Sequence, residues 1–281
     1  MTGNEDGRRR LTLITGGSRG IGRFLVESFL DDTDVLNVSR TPARCSDRSP
    51  ARGSRHELHN LCLDLADVAG IEERLDDWFG EHPRYEVATL IHNAATLRLG
   101  WLDKVSAEEL DQSFRVNVYA PLAITTALLA TGRFAEPETR VAYVVSSLAR
   151  PLPELSFAGL GLYSMTKAAL SRMALVQSRE FALAAPHVKI LRIHPGIVDT
   201  DLQRELREDP AMDPAFEAKT AGLPPYREGE WTGRSPKDHM RTISPEFAAE
   251  FVAWATRAPE VGSSECDFYH AEDFHLARAA R

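Results

Sequence analysis

Tyr163 and Lys167 lie four residues apart in "GLYSMTKAAL" (161–170). On a helix that spacing is about one turn, so a phenol and an ammonium share one face. Such a pair can move a proton. On spacing alone it is more simply a tyrosine packed on a lysine stem at a solvated face. A second chemical signal lies in "TGGSRGIG" (15–22), where Gly16, Gly20 and Gly22 follow an apolar run and precede a helical pattern. Glycines there let the backbone turn sharply and approach a pyrophosphate, which the unpaired N–H groups of the helix start then receive. An ordinary glycine-rich turn between strand and helix is the competing reading. The next apolar run ends in Ser39 and Arg40 rather than in an acid, and Asp31, Asp32 and Asp34 lie before it. A free ribose 2′-hydroxyl calls for an acid at that end, whereas Arg40, joined by Arg19 of the glycine loop, suits a 2′-phosphate. These residues point to NADP(H).

The elements that would hold these residues follow from hydrophobic patterning. Near-continuous apolar runs occupy 11–17, 35–40, 57–65, 87–95, 140–147 and 188–196, with a short one at 265–270; helix-period segments occupy 20–31, 67–80, 106–131, 163–184 and 245–257. Strands buried on both faces read this way, and their alternation with helices predicts a parallel sheet covered on both sides. Two segments break the rhythm. Residues 41–56 read as a polar loop, and 207–244, proline-rich with Phe216, Tyr226 and Trp231, as either a disordered stretch or a functional lid, the expectation being a lid insertion over the substrate. No composition shift divides the chain, so 1–281 is expected to form a single domain behind a flexible N-terminus at 1–9.

Composition narrows the partners. With 281 residues and 43% hydrophobic content the chain can bury a sizeable core, and its formal net charge of -8 argues against nucleic acid or an anionic membrane. "MTGNEDGRRR" has no apolar run behind its basic residues, so no signal peptide is expected, and no run is long enough to span a membrane. Cys45, Cys62 and Cys266 have no metal-binding or disulfide spacing. They predict a reducing, cytoplasmic setting and no metal site.

"TGGSRGIG", "LDLAD", "HNAA", "RVNV", "VVSS", "YSMTK" and "HPGIVDTDL" occur in the order and approximate spacing of the short-chain dehydrogenase/reductase family, which the chain resembles from about residue 10 to 205. The resemblance implies a doubly wound (Rossmann) α/β fold, mostly parallel with seven strands. It implies Tyr163 as proton donor or acceptor for a carbonyl/alcohol pair, and Lys167 as a ligand of the nicotinamide ribose that lowers the phenol's pKa from about 10. Ser147 would hold the substrate oxygen, with Ser146 as its neighbour. Asn117 would anchor a water-linked proton relay. For the cofactor it implies Gly16, Ser18, Arg19, Gly20, Ile21 and Gly22, with Ser39 and Arg40. It further implies Asp64 and Leu65 at the adenine, Asn93 tying neighbouring strands near the cofactor with Ala94 beside it, and Pro195, Gly196, Ile197, Val198 and Thr200 under the nicotinamide, whose carboxamide Ile197 would meet through its backbone and Thr200 through its hydroxyl. Asp64 and Thr200 are alternatively simple helix caps.

"SSLARPLP", "PGIVDTDLQRELRE" and "CDFY" look like the sepiapterin reductase and benzil reductase branch. An aspartate in the place of Asp267 anchors the pterin in sepiapterin reductases, although a strand-end turn also explains it. The stretch from Ser147 to Tyr163 is longer than usual, so "PELSFAGLG" (153–161) should bulge beside the pocket. Trp101, Phe157, Phe216 and Trp231 are the candidate pocket aromatics, and His194 reads as a packed residue. The expectation is an NADPH-dependent carbonyl reductase acting on small ketones or diketones as a homodimer or homotetramer. A non-catalytic cofactor-binding regulator and a non-redox isomerase or dehydratase on the same fold are the rivals.

Overall fold

The computed structural model describes residues 7–45, 55–208, 212–220, 222–226, 241–258 and 265–279. Its elements are β1 (Arg9–Thr15), α1 (Gly20–Phe29), β2 (Asp34–Ser39), β3 (Leu58–Cys62), α2 (Ile71–Glu81), β4 (Tyr85–His92), α3 (Ala107–Phe114), α4 (Ala120–Ala130), β5 (Thr139–Val144), α5 (Gly161–Ala184), β6 (Val188–His194), β7 (Ile197–Val198), α6 (Asp201–Glu208), α7 (Pro214–Thr220), β8 (Thr242–Ile243), α8 (Pro245–Arg257), β9 (Glu265–Asp267) and α9 (Glu272–Ala279). Seven strands form one parallel sheet in the order β3-β2-β1-β4-β5-β6-β9. The order reverses direction between β1 and β4, and the cleft outside such a switch point is where ligands bind in open α/β sheets.

Alternation along the strands explains the layers. Leu11 and Leu13 of β1 and Leu90 of β4 face α2, α4 and α5, where they meet Leu75, Ile124, Leu128 and Leu170. Ile14, Ile91 and Ile193 point the other way, onto Leu25, Phe29, Phe251 and Val252 of α1 and α8. A third, smaller cluster lies apart from both: Leu160, Leu206 and Phe216, with Leu97, Leu99, Leu148, Phe157 and Met212 packed against them. Among the described residues no helix is long and apolar enough to cross a membrane.

Three features depart from the patterning. The segment read as one helix over 106–131 starts at a capping box of Ser106 and Glu109, then breaks into a π-helical turn at Arg115–Tyr119. A second, two-stranded sheet pairs β7 with β8, so part of 207–244 is regular structure. The N-terminal boundary also shifts: Arg9, placed in the flexible terminus, is already in β1, with its guanidinium on Asp34 at 2.7 Å.

Phe251 is fully buried between α8, α9 and the sheet, edge-on to Phe268 and Phe274. Phe251→Ala should destabilise the chain by about 3–5 kcal/mol, read as a lower urea midpoint.

Candidate active site

The glycine turn is built by backbone packing on backbone. Gly16 and Gly20 take positive φ angles of 72° and 55°. A Cβ on Gly16 would lie 2.9 Å from the Ala94 Cα, and one on Gly22 would lie 2.1 Å from the Gly16 carbonyl oxygen. Asn93 closes the turn from β4: its Nδ2 donates to the Thr15 and Gly16 carbonyls, both at 3.1 Å. The Asn93 and Ala94 N–H groups donate to the Thr15 hydroxyl, also at 3.1 Å. This is the strand-tying role expected of Asn93. Sequence reasoning passed over Thr15, and also Gly17, whose N–H donates to the buried Asn37 Oδ1 at 2.8 Å. No side chain caps the start of α1, so its first N–H groups are open to an anion.

From this turn a cleft of about 790 Å³ runs along the C-terminal ends of the strands. Its walls include Ser18, Arg19, Ile21, Ser39, Arg40, Asp64, Leu65, Ala94, Pro195, Gly196, Val198 and Thr200, together with Ser146, Ser147, Tyr163 and Lys167. Most of the residues expected from separate motifs therefore share one space. Arg19 and Arg40 are exposed in the cleft wall, and the described stretch after β2 carries no acid. Asp34 is at the other end of its strand. Ser39 lends little directly, since its hydroxyl is held by the Thr41 carbonyl at 2.6 Å. The exposed Asp64 bonds the Ala66 N–H at 3.0 Å in a local turn. Thr200 lies below Gly20, with its methyl 3.6 Å from where a Gly20 Cβ would be.

The proton-transfer residues meet on α5. Lys167 is buried, 2% exposed, and donates from Nζ to the Val144 carbonyl at 2.8 Å. Burial pushes its pKa down to about 8. Its Nζ lies 5.8 Å from the Tyr163 ring centroid. Burial pushes the Tyr163 phenol up to about 12, with the Ser146 side chain pulling the other way. The expected lowering by the lysine is therefore corrected: desolvation dominates, and Tyr163 is protonated at neutral pH. Ser147, expected to hold the substrate oxygen, starts the following 3-10 turn and lines the cleft beside Ser146. Ser146 is extended, with φ −148° and ψ 149°, and its hydroxyl accepts from the Leu148 N–H at 3.2 Å.

Asn117 sits in the π-helical turn, 1% exposed, and is not in the cleft wall. Its Oδ1 accepts from the Thr96 N–H at 2.8 Å, and its Nδ2 donates to the Thr96 carbonyl at 2.8 Å and to the Thr166 hydroxyl at 3.0 Å. Thr166 in turn donates to the Tyr163 carbonyl at 2.8 Å. Asn117 thus ties the segment after β4 to the helical turn that carries Tyr163. A π-turn supplies the one-residue offset that aims its side chain inward.

The far wall carries paired charges. Asp267 lines the cleft, but its Oδ2 accepts from Arg150 at 2.7 Å and its Oδ1 from the Tyr269 N–H at 3.0 Å. His194 is buried, with Nε2 2.7 Å from Glu265. Burial lowers its pKa and keeps it neutral, as expected of a packed residue. The Ile197 N–H, expected to meet a carboxamide, is taken by the Tyr269 hydroxyl at 3.1 Å, which also donates to the Arg241 carbonyl at 2.7 Å.

Three expected pocket aromatics lie elsewhere. Trp101 is 60% exposed and outside the cleft. Phe157 and Phe216 stand edge-on to one another at 5.1 Å, behind the wall. Trp231 falls outside the described residues. The bulge at 153–161 docks α7. Asp213 accepts from the Ala158 N–H at 2.9 Å and from the Ala215 N–H at 2.8 Å, and Lys219 donates to the Glu154 carbonyl at 2.8 Å. Leu148 and Leu206 belong both to this apolar cluster and to the cleft wall.

The short chain dehydrogenase family model matches residues 10–211. The chain is 26% identical to a benzil reductase ((S)-benzoin forming) of Bacillus cereus, over 86% of this chain and 92% of that protein. It is 30% identical to the sepiapterin reductase of Bos taurus, over 73% and 79%. A short chain dehydrogenase from Burkholderia cenocepacia J2315, solved in complex with NADP, superposes with a TM-score of 0.67 at 22% identity, over 94% of this chain and 96% of that one. The chain belongs to the short chain dehydrogenase family, whose members bind NAD(P).

The two backbone bonds to Asp213 hold its carboxyl below the ordinary range. A depressed pKa contributes stability above the unfolded value of about 3.9 and loses it as pH falls through the folded value. The protection factor of the Ala158 amide, its exchange rate relative to a free amide at the same pH, should therefore be high at pH 7 and fall only below about pH 4. Asp213→Ala should lower that protection factor at pH 7.

Proposed function

We propose that the chain is an NADPH-dependent carbonyl reductase that moves a hydride between NADP(H) and a carbonyl/alcohol pair. One observation carries the reading: Tyr163, half-buried and protonated, stands one helical turn from the buried Lys167 and shares with Ser146 and Ser147 the cleft that begins at the glycine turn. The glycine cradle fits the dinucleotide: Gly16 and Gly22 have no room for a Cβ against Ala94 and the Gly16 carbonyl, which keeps the turn tight, and the N–H groups at the start of α1 have no side-chain cap. When bound, the nicotinamide supplies the hydride. The chain supplies the rest. Ser146 and Ser147 orient the substrate oxygen, and Tyr163 gives it a proton as charge develops there. Lys167, still largely protonated at pH 7, stabilises the phenolate left behind. Asn117 fixes the turn that carries Tyr163.

Exposed Arg19 and Arg40 support NADP(H) over NAD(H), as does the related structure solved with NADP. The names of the benzil and sepiapterin reductases support a small carbonyl substrate. Asp267, beside Arg150, stays in this reading as a substrate-facing residue. The described parts of 207–244 form one side of a substrate lid. Exposed Tyr119, Leu122, Met165, Leu175, Val176 and Leu183 on the α4 and α5 side support a homodimer or homotetramer through those helices. The free thiols of Cys45, Cys62 and Cys266 support a reducing, cytoplasmic setting.

NADPH consumption against a panel of ketones and diketones tests the activity. Tyr163→Phe should abolish turnover while the dissociation constant for NADPH stays within about twofold; wild-type turnover in that variant would overturn the mechanism. Ser147→Ala should cost more in kcat than Ser146→Ala, whose hydroxyl is engaged by the Leu148 N–H, by about tenfold or more. The reverse order would move the substrate oxygen to Ser146.

Arg40→Asp should weaken NADPH binding by about a hundredfold or more, through the lost charge-assisted bonds and the repulsion between carboxylate and phosphate. NADH binding should change far less. Equal effects on both would remove the 2′-phosphate from the reading.

A further inference from the structure

Arg40 is exposed at the end of β2, and an exposed arginine has no direction of its own. The chain around it is tethered on both sides. On one side Ser39 bonds the Thr41 carbonyl at 2.6 Å. On the other, the Ala43 N–H donates to Asn60 Oδ1 at 2.7 Å, and Asn60 Nδ2 donates back to the Ala43 carbonyl at 3.3 Å. The two-point clasp is itself anchored. Asn60 is the register partner of Asn37 across β2 and β3, and Asn37 Nδ2 donates to Asn60 Oδ1 at 2.9 Å and to the Ser39 hydroxyl at 3.0 Å. The remaining Asn37 oxygen accepts from the Gly17 N–H at 2.8 Å. An unbroken line of hydrogen bonds therefore runs from the glycine turn through two amides to the loop beyond Arg40.

The burial pattern says what this line is for. Asn37 is 0% exposed in a strand whose neighbours Val35, Leu36 and Val38 are equally buried. A buried amide is costly unless bonded, and an apolar residue would suit that strand better for stability alone. What an apolar residue could not do is receive Gly17 and hold Asn60. A Cβ on Gly17 would lie 2.6 Å from Asn37 Oδ1, so glycine turn and amide are fitted to one another. Asn60 itself is exposed at the sheet edge, where its bonds compete with water. Its orientation depends on Asn37 behind it.

We propose that Asn37 and Asn60 are positioning residues that fix the Arg40 loop relative to the glycine turn, and thereby set the preference for a dinucleotide bearing a 2′-phosphate. The inference rests on the NADPH reading above. Pyrophosphate and 2′-phosphate are separated by a fixed length of ribose. Selectivity therefore requires the two receiving sites to keep a fixed spacing, and the amide line spans them.

The test measures binding, by calorimetry, of NADPH, NADH, 2′-AMP and 5′-AMP to the full chain. Asn60→Ala changes an exposed side chain and should leave the fold intact. It should raise the dissociation constants for NADPH and 2′-AMP about tenfold, and those for NADH and 5′-AMP less than about threefold, as expected when one charge-assisted contact is loosened. Asn60→Asp, which keeps the acceptor but loses the bond to the Ala43 carbonyl, should fall between. In an Arg40→Ala background Asn60→Ala should have no further effect on the NADPH/NADH ratio. Equal weakening of all four probes, or an undiminished Asn60 effect without Arg40, would overturn the positioning role. A wild-type chain that binds NADH more tightly than NADPH would instead overturn the cofactor reading itself.

Discussion

A lysine ammonium buried against a backbone carbonyl is the constraint around which the site is arranged. Keeping Lys167 charged at neutral pH costs on the order of 3 kcal/mol, judged from the fall of its pKa to about 8. The sheet and α5 hold it there regardless. The Val144 carbonyl it binds is the last residue of β5, and α5 is pinned by Leu162, Leu170, Ala174 and Phe181 in the main core. Tyr163, one turn earlier, inherits its position from that anchoring. So does Thr166, which the π-turn reaches through Asn117. Desolvation of the lysine and desolvation of the tyrosine share one cause, the closeness of α5 to the ends of β4 and β5. That cause also explains why Tyr163 is held protonated, the form the proposed reaction needs.

How much of this the chain announces depends on the range of the forces involved. The parallel sheet was legible because strands covered on both faces must be apolar throughout, and the glycine turn because a Cβ has no room there. Tyr163, Lys167 and Asn93 were legible from motif and spacing. Asn117 was legible as a residue but not as a geometry, because a single π-turn leaves the apolar pattern of its helix unchanged. The serine pair was legible from its motif, whereas the capping of the following 3-10 turn by the Ser146 hydroxyl was not, because it depends on one local backbone geometry. Asn37 was hidden as a lone amide in an apolar strand, whose partner lies 23 residues away. Arg150, 117 residues from Asp267, was hidden for the same reason. At seven residues α7 is too short for periodicity to reveal.

The substrate end shows how two irregular segments can be one feature. The bulge before α5 and the proline-rich stretch that contains α7 each lack a pattern, because each has its apolar partner in the other. Phe157 needs Phe216, Leu160 needs Leu206, and Asp213 serves as the cap of α7 and the clamp of the bulge at once. Their shared cluster backs one wall of the cleft with Leu97, Leu148 and Leu206. The opposite wall carries Asp267 and His194 within a network in which Arg150 and Arg192 balance Glu265 and Asp267. On the proposed reading, a carbonyl at Tyr163 would lie between an apolar side and a polar but charge-balanced side. Such a pocket would select by the difference between a substrate's two arms, and the bulge would act on that choice through the leucines it holds in place.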